Sequence, residues 1–443
     1  MSFTVKDVLR MEVALALGTT EPGAVALGAA AAASLLQGPH GGPDIRSIEI
    51  WVDANVYKNG IAVSIPGTDG LCGLAMSSAL GATGGDPTLK LQVLEPVDDA
   101  ALAQAQALEA GGSVTVNLLP DQAGPYIRTV IHSERQVAES VVHGSHDNLV
   151  SLSLDGTPVT DSPLLSTAGP GGKGNALAEL ESWLRELTMF ELLGLLDSLD
   201  AEDLAFVEEG VEANTRLAEY GINHDCGLGV GRALERLARQ GLIQRDMILA
   251  ARILTSSAAD ARMAGAKLPA MSSAGSGNHG LTAILPIWAV KDFVDTDHTT
   301  VLKAIALSHI ITGFVKAHTG RLSALCGCSV AAGAGATAGV AYLLGGDEHH
   351  IAGAIANLIG DLTGVICDGA KAGCALKLST AAGTAVQAAL FSLQGVQIRP
   401  TDGIIACTPE QTMQNVGTLS TQGMIDTDRT ILQIMLAKQL VEE

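Results

Sequence analysis

The sequence predicts an α+β protein. N-terminal helices and a mainly antiparallel, sandwich-like α/β unit precede a large all-helical unit. Three observations carry this. Alternating apolar and polar residues are confined to the stretch between Ile48 and Leu154. A Pro/Gly/Ser-rich run, Ser162 to Asn175, interrupts the pattern. Beyond it the apolar spacing is helical almost to the end. A chain of 443 residues exceeds one ordinary domain. The expected division is 1–40 (helices docking on the C-terminal unit), 41–161 (α+β), 162–175 (linker) and 176–443 (helical, catalytic).

Residues 6–38 read as helical with a break at Gly18-Thr19-Thr20-Glu21-Pro22-Gly23. Thr20 is the expected cap, because Pro22 suits a first helical turn. Strands are expected where Ile48, Ile50 and Val52 alternate, then Ile61, Val63 and Ile65, then Leu89, Leu91 and Val93. Asp99 to Ala110 reads as a helix, and Val114, Val116 and Leu118 as a strand. Further strands are expected over 126–132, 137–142 and 149–154. Helices follow at 176–187, 201–220, 229–240, 245–263, 300–315, 323–344 and 351–362, with a last one from about Asp428.

Apolar residues make up 47 % of the chain, aromatics only 3 %, and there are 51 glycines, so small residues dominate the core. Such helices pack closely and let backbone approach ligands. The formal charge of −21 argues against nucleic acid and anionic membranes as partners. Mean hydropathy is positive at +0.31. The longest uncharged stretch, Ser329 to Gly346, is nonetheless mostly Ala and Gly, and a buried core helix is the expectation. Seven cysteines form no disulfide framework, and the N-terminus lacks a basic region followed by an apolar run. A reducing, cytoplasmic setting is expected. The Gly/Ala-rich helical faces suit a homodimer.

Chemistry concentrates in a few segments. Cys326, Cys367 and Cys374 are far apart and form no compact metal motif. Buried packing thiols, a zinc site and an iron–sulfur site all remain open on spacing alone. Three thiolates on a [4Fe–4S] cube leave its fourth iron open as a Lewis acid. Cys328 is expected to point elsewhere on its helix. Cys72, Cys226 and Cys407 read as packing residues, with Cys407 a lesser candidate for a fourth ligand. The loop Ser272-Ser273-Ala274-Gly275-Ser276-Gly277-Asn278 brings backbone N–H groups and hydroxyls to an anion such as a carboxylate. Lys58 and Asn59 fall at an expected strand end, where Lys58 is either a solvated turn residue, a carboxylate partner or a base. His146, His279 and His318 are candidates for proton transfer, because histidine as a residue type changes charge near neutrality. Glu21 is a second acid/base candidate, Arg262 a clamp or a helix-surface charge, and Asp368 a neighbour of Cys367.

With those cysteines, Lys58-Asn59-Gly60, Pro66-Gly67-Thr68, Ser256 to Met263 and Leu268 to Gly280 complete a pattern. Over nearly its whole length the chain resembles the UPF0597 family, which includes L-cysteine desulfidases and is related to the α part of iron–sulfur L-serine dehydratases. The resemblance implies a [4Fe–4S] cluster on Cys326, Cys367 and Cys374. It implies PLP-independent β-elimination from a small amino acid: L-cysteine to pyruvate, ammonia and sulfide, or L-serine to pyruvate and ammonia. Members of that family usually carry Gly-Cys-Thr-Glu-Pro, where this chain has Gly18-Thr19-Thr20-Glu21-Pro22. That departure opens a second expectation, the same chemistry on another small hydroxy or thio acid. A third is a non-catalytic protein that binds an amino acid or metal. The expected catalytic residues are Lys58, His146, His279 and Glu21. Asn59, Ser272, Ser273, Gly275, Ser276, Gly277 and Asn278 would bind substrate.

Overall fold

The computed structural model describes residues 3–36, 44–122, 124–166, 173–320 and 323–439. Residues 167–172, the middle of the expected linker, lie outside them. The strands are β1 (Leu15–Leu17), β2 (Ser47–Asp53), β3 (Val114–Leu119), β4 (Tyr126–His132), β5 (Val137–His143), β6 (Leu149–Leu154), β7 (Thr157–Pro158) and β8 (Pro269–Met271). The large sheet runs β3-β2-β4-β5-β6-β7. Only β2–β3 is parallel, so the α+β class with a mainly antiparallel sheet holds.

Alternation builds this sheet. Ile48, Ile50 and Val52 of β2 and Ile127 and Ile131 of β4 are buried on one face. The other face carries the Arg128–Glu139 pair and Arg128 over the Trp51 ring. Helices Thr20–Ala33 and Leu74–Gly84 share the buried core with these strands. They nearly touch: a Cβ on Gly81 would lie 2.2 Å from the Ala26 carbonyl oxygen. Thus only the first N-terminal helix, Val5–Glu12, packs into the helical core; the second belongs to the sheet.

Two expected strands are absent. Asp86 accepts a hydrogen bond from the Thr88 N–H, and Pro87 starts a 3₁₀ helix over Pro87–Gln92 where Leu89 and Leu91 suggested a strand. Val63 and Ile65 are buried in irregular backbone ending at Pro66, which cannot donate to a ladder. The segment before them is also helical. Asp53 accepts from the Asn55 and Val56 N–H groups and caps helix Ala54–Gly60, so Lys58 and Asn59 stand on a helix rather than at a strand end.

The helical unit centres on Met247–Met263, Gly277–Val290, His298–Thr319, Ala331–Leu343 and Cys374–Leu393. Small residues set its spacing. A Cβ on Gly335 would lie 2.3 Å from the Ser308 carbonyl oxygen, so helix Ala331–Leu343 crosses His298–Thr319 backbone to backbone. The uncharged stretch is therefore a buried helix, as expected, and it is only 13 residues long. His298–Thr319 and Cys374–Leu393 have the length and apolarity to cross a membrane, but 89% of the first one's apolar window is buried in the fold.

One small feature places the N-terminus at the site. β1 pairs antiparallel with β8, Leu15 opposite Met271. This lays Gly18 to Glu21 beside the Ser272–Gly280 loop.

Candidate functional site

A cavity of about 600 Å³ lies between the sheet unit and the helical unit. Its wall contains Cys326, Cys367, Cys374, Lys58, Asn59, Glu21 and His146, together with Ser272, Gly275, Ser276, Asn278 and His279 of the loop. Of the expected catalytic, substrate-binding and cluster residues, Ser273 and Gly277 do not line the cavity, nor do the lesser candidates His318, Asp368 and Cys407.

The cysteines are brought together by a short antiparallel bridge between Leu325 and Ile366. The Cys326 N–H donates to the Val365 carbonyl at 2.9 Å, and the Cys367 N–H to Ala324 at 2.6 Å. Cys374 opens helix Cys374–Leu393 after Gly373. Gly369, with φ of 92°, lets this loop approach the Lys58 carbonyl, where a Cβ would come within 2.4 Å. The expected helix over 323–344 begins only at Ala331. Residues 326–330 turn instead, which corrects the reading of Cys328. Its thiol faces the same cavity and hydrogen-bonds Cys326. That bond, then contacts with Ser329, outweigh burial and lower Cys326 to about 6. The same bond and burial raise Cys328, and burial raises Cys374 to about 11. All seven cysteines are free thiols. Cys72 and Cys407 are exposed rather than packed, and Cys407 is not in the cavity wall.

The serine loop is built differently from the expected ring of donors. The Ser272 hydroxyl donates to the Ala14 carbonyl at 2.7 Å, and the Ser273 hydroxyl lies 2.9 Å from His309 Nδ1. Both hydroxyls therefore hold the loop in place. Ser276 caps helix Gly277–Val290 by position without a side-chain bond to it, and it lines the cavity. The first N–H groups of this helix have no intrahelical acceptor and favour an anion. Helices Thr20–Ala33 and Cys374–Leu393 begin at the same cavity. Their dipoles add to one positive field.

Histidine tautomers follow from their partners. His279 Nδ1 lies 3.2 Å from the Ser273 carbonyl oxygen, an acceptor, so Nδ1 carries the proton. Its Nε2 lies against Gly327, between Cys326 and Cys328; a Cβ there would be 2.3 Å away. His146, on the turn joining β5 to β6, has its Nε2 4.0 Å from Glu21 Oε1. That nitrogen is buried, with no hydrogen-bond partner among the described residues. His309 was not singled out from sequence; burial lowers it to about 4, so it is a neutral support for the loop. His318 packs edge-on against Phe314 and does not line the cavity.

Arg262 is no surface charge. It is 3 % exposed, donates to the Asn278 Oδ1 at 2.9 Å and to the Gly18 carbonyl at 2.7 Å, and so ties the N-terminal segment to the loop. Burial lowers its proton affinity, partly opposed by Glu21. Gly277 lies under it. Lys58 is 2 % exposed and paired with Asp428 at 2.5 Å, so it is not a solvated turn residue. Asp368 pairs with Lys377. Thr19 precedes the helix that Thr20 was expected to cap, and its hydroxyl is buried with no partner among the described residues. The Thr20 hydroxyl reaches the Gly275 carbonyl at 3.2 Å.

Comparison with known proteins agrees with this geometry. The family model described as serine dehydratase alpha chain matches residues 89–433. The chain belongs to the serine dehydratase alpha-chain family. It belongs equally to the UPF0597 group within reach of that model. A UPF0597 protein of Desulfatibacillum aliphaticivorans is 61% identical over 99% of both chains. One of Desulfotalea psychrophila is 59% identical over 99% of both. A UPF0597 protein of Clostridioides difficile is 42% identical over 97% of this chain and 98% of its own. The matched segment contains the cysteines, the serine loop and both cavity histidines, whereas Thr19, Glu21 and Lys58 precede it.

Proposed function

We propose that the chain is an iron–sulfur lyase that removes the β-substituent of a small amino acid. L-serine would give pyruvate and ammonia; L-cysteine and water would give pyruvate, ammonia and sulfide. The observation that carries this reading is the convergence of Cys326, Cys367 and Cys374 on the same cavity as an anion-attracting serine loop.

What supports the cofactor is the donor set, three thiols on the wall of one cavity. Among the described residues no group of three or more His, Cys, Asp or Glu is placed to hold a single metal ion. A cube takes each thiolate on a different iron, so its ligands stand farther apart than those of one ion. Cys326, Cys367 and Cys374 would hold a [4Fe–4S] cluster, whose open iron would supply Lewis acidity toward a hydroxyl or thiol leaving group.

The chain's own residues do the rest. Lys58, the N-terminus of helix Gly277–Val290 and Ser276, which share one cavity, receive the substrate carboxylate. His279, with its proton fixed on Nδ1, offers Nε2 as an acceptor beside the cysteines. His146 is the assigned base for the Cα proton, and the Glu21 carboxylate at 4.0 Å balances the charge the ring gains. The enclosing sheet and helices limit water and fix the geometry, which lowers the entropic part of the barrier. Aminoacrylate leaves the protein and hydrolyses to the keto acid.

A second substrate class is favoured by one observation. The Thr19 hydroxyl is buried with no partner among the described residues, where members of the resembled family usually carry a thiol. A hydroxyl there suits a substrate with a further polar group, such as another hydroxy or thio acid. Seven free thiols suit a reducing, cytoplasmic setting. Single Cys326→Ala, Cys367→Ala and Cys374→Ala variants test the cluster assignment. Each is expected to lose iron and keto-acid production together; unchanged iron in all three sinks it.

A further inference from the structure

A second cavity of about 520 Å³ adjoins the first. Asn55, Lys58 and Ser323 line both, so Lys58 stands in the wall between them. The far side is closed by Met424 and by helix Ile425–Gln439, which supplies Ile425, Asp428, Arg429, Leu432 and Leu436 to the second cavity. This helix follows a π-helical turn at Leu419–Gly423. It leaves Ile425 46% and Ile434 54% exposed. Its charged contact with the wall is Asp428 Oδ1 on Lys58 Nζ. Lys58 is anchored from behind, since its carbonyl accepts from Lys371 Nζ at 3.0 Å in the loop between Cys367 and Cys374. The ammonium end can therefore change partner without moving its backbone.

We propose that Asp428 is a built-in competitor for the substrate carboxylate at Lys58. In the empty protein Asp428 satisfies the buried ammonium and holds the C-terminal helix against the second cavity. When an amino acid enters the first cavity, its carboxylate takes Lys58, Asp428 is released and the helix loosens. A buried ammonium cannot remain without an anion at reasonable cost, so the two carboxylates exclude each other on it. Competition of this kind is a reciprocal coupling: ligand weakens the Asp428 contact by the factor by which Asp428 weakens ligand binding. Asp428 is thus a positioning residue that sets apparent affinity, not a group that touches the reacting atoms. The inference deepens the proposed function and rests on its placing of an amino-acid carboxylate in the first cavity.

The test uses the full-length, iron-reconstituted protein and L-alanine, which has the carboxylate but no β-leaving group. The Asp428→Asn variant is expected to bind L-alanine about tenfold more tightly than wild type, within the usual range for coupled sites. In the same variant Lys58 is expected to react faster with an amine-acylating reagent, read by peptide mass spectrometry, and L-alanine is expected to protect it. A wild-type measurement guards against a variant that fails to fold: L-alanine should accelerate hydrogen exchange in Ile425–Gln439. Unchanged or weaker L-alanine binding in Asp428→Asn, or exchange in that helix that stays constant or slows with L-alanine, would overturn the proposal. Intact competition without turnover of L-serine or L-cysteine would remove the lyase reading and leave this one standing. Turnover without competition would do the reverse.

Discussion

Replacing Gly277 by alanine should separate the Arg262 strut from the rest of the fold. The helix Gly277–Val290 starts there, and an added Cβ would meet Arg262 at Nε (2.5 Å), Cζ (2.6 Å) and Nη2 (2.7 Å). The guanidinium has no slack, since Nη1 is held by Asn278 and Nη2 by the Gly18 carbonyl. Moving it breaks two hydrogen bonds to a buried charge, each worth about 1.5–3 kcal/mol. The smaller unfolded-state entropy of alanine returns about 0.4–1 kcal/mol. The net expectation is a loss of roughly 3 kcal/mol, about a hundredfold in the folding equilibrium. Urea unfolding followed by tryptophan fluorescence measures it, and hydrogen exchange over Leu15–Glu21 reports release of the N-terminal segment. The decisive arm is the same substitution in an Arg262→Ala background. There the clash is gone, and Gly277→Ala should be neutral or slightly stabilising. A loss below about 1 kcal/mol in wild type, or an equal loss in both backgrounds, would refute the reasoning.

Two further outcomes follow from buried polar groups. His309 is held near 4, against 6.5 when unfolded, because burial disfavours its charged form. The unfolded chain then binds the proton first, so stability from this residue is complete above about pH 6.5 and is lost as pH falls toward 4. The full loss is about 3 kcal/mol. His309→Asn should flatten that part of the stability–pH curve, and an unchanged slope between pH 4 and 6.5 would contradict the assignment. Thr19→Val keeps the shape of a buried hydroxyl that has no partner among the described residues, while removing its desolvation cost. It should raise stability by about 1 kcal/mol. If the hydroxyl faces substrate, it should also raise KM more than it lowers kcat, and a loss of stability would show that the hydroxyl has a partner in solution.

Much of the fold was legible because alternation and helical periodicity report burial directly. β2, β4, β5 and β6 fall where Ile48–Val52 and the three later segments alternate. Leu89 and Leu91 misled because their spacing fits either period, and the deciding signal was the Asp86-Pro87 cap beside them. Lys58 was misplaced for a similar reason: the Asp53 cap lies at the end of a strand and turns the chain into a helix. The cavity residues were legible as a list because small residues, thiols and histidines cluster in a few segments. Their pairing was not. The Leu325–Ile366 bridge joins positions with no local relation, and it decides that Cys328 turns toward Cys326 instead of away. Lys58 and Asp428 are likewise joined only by the tertiary fold. The roles of Ser272 and Ser273 as loop supports depend on Ala14 and His309, which carry no motif of their own.

The most direct test of the central claim is anaerobic. The protein is reconstituted with iron and sulfide, iron is counted, and keto acid, ammonia and sulfide are assayed with L-serine and L-cysteine. The account predicts about four irons per chain on the three thiolates, with keto acid formed from at least one of the two amino acids. No bound iron with Cys326, Cys367 and Cys374 intact would contradict it and return these thiols to the packing of the core.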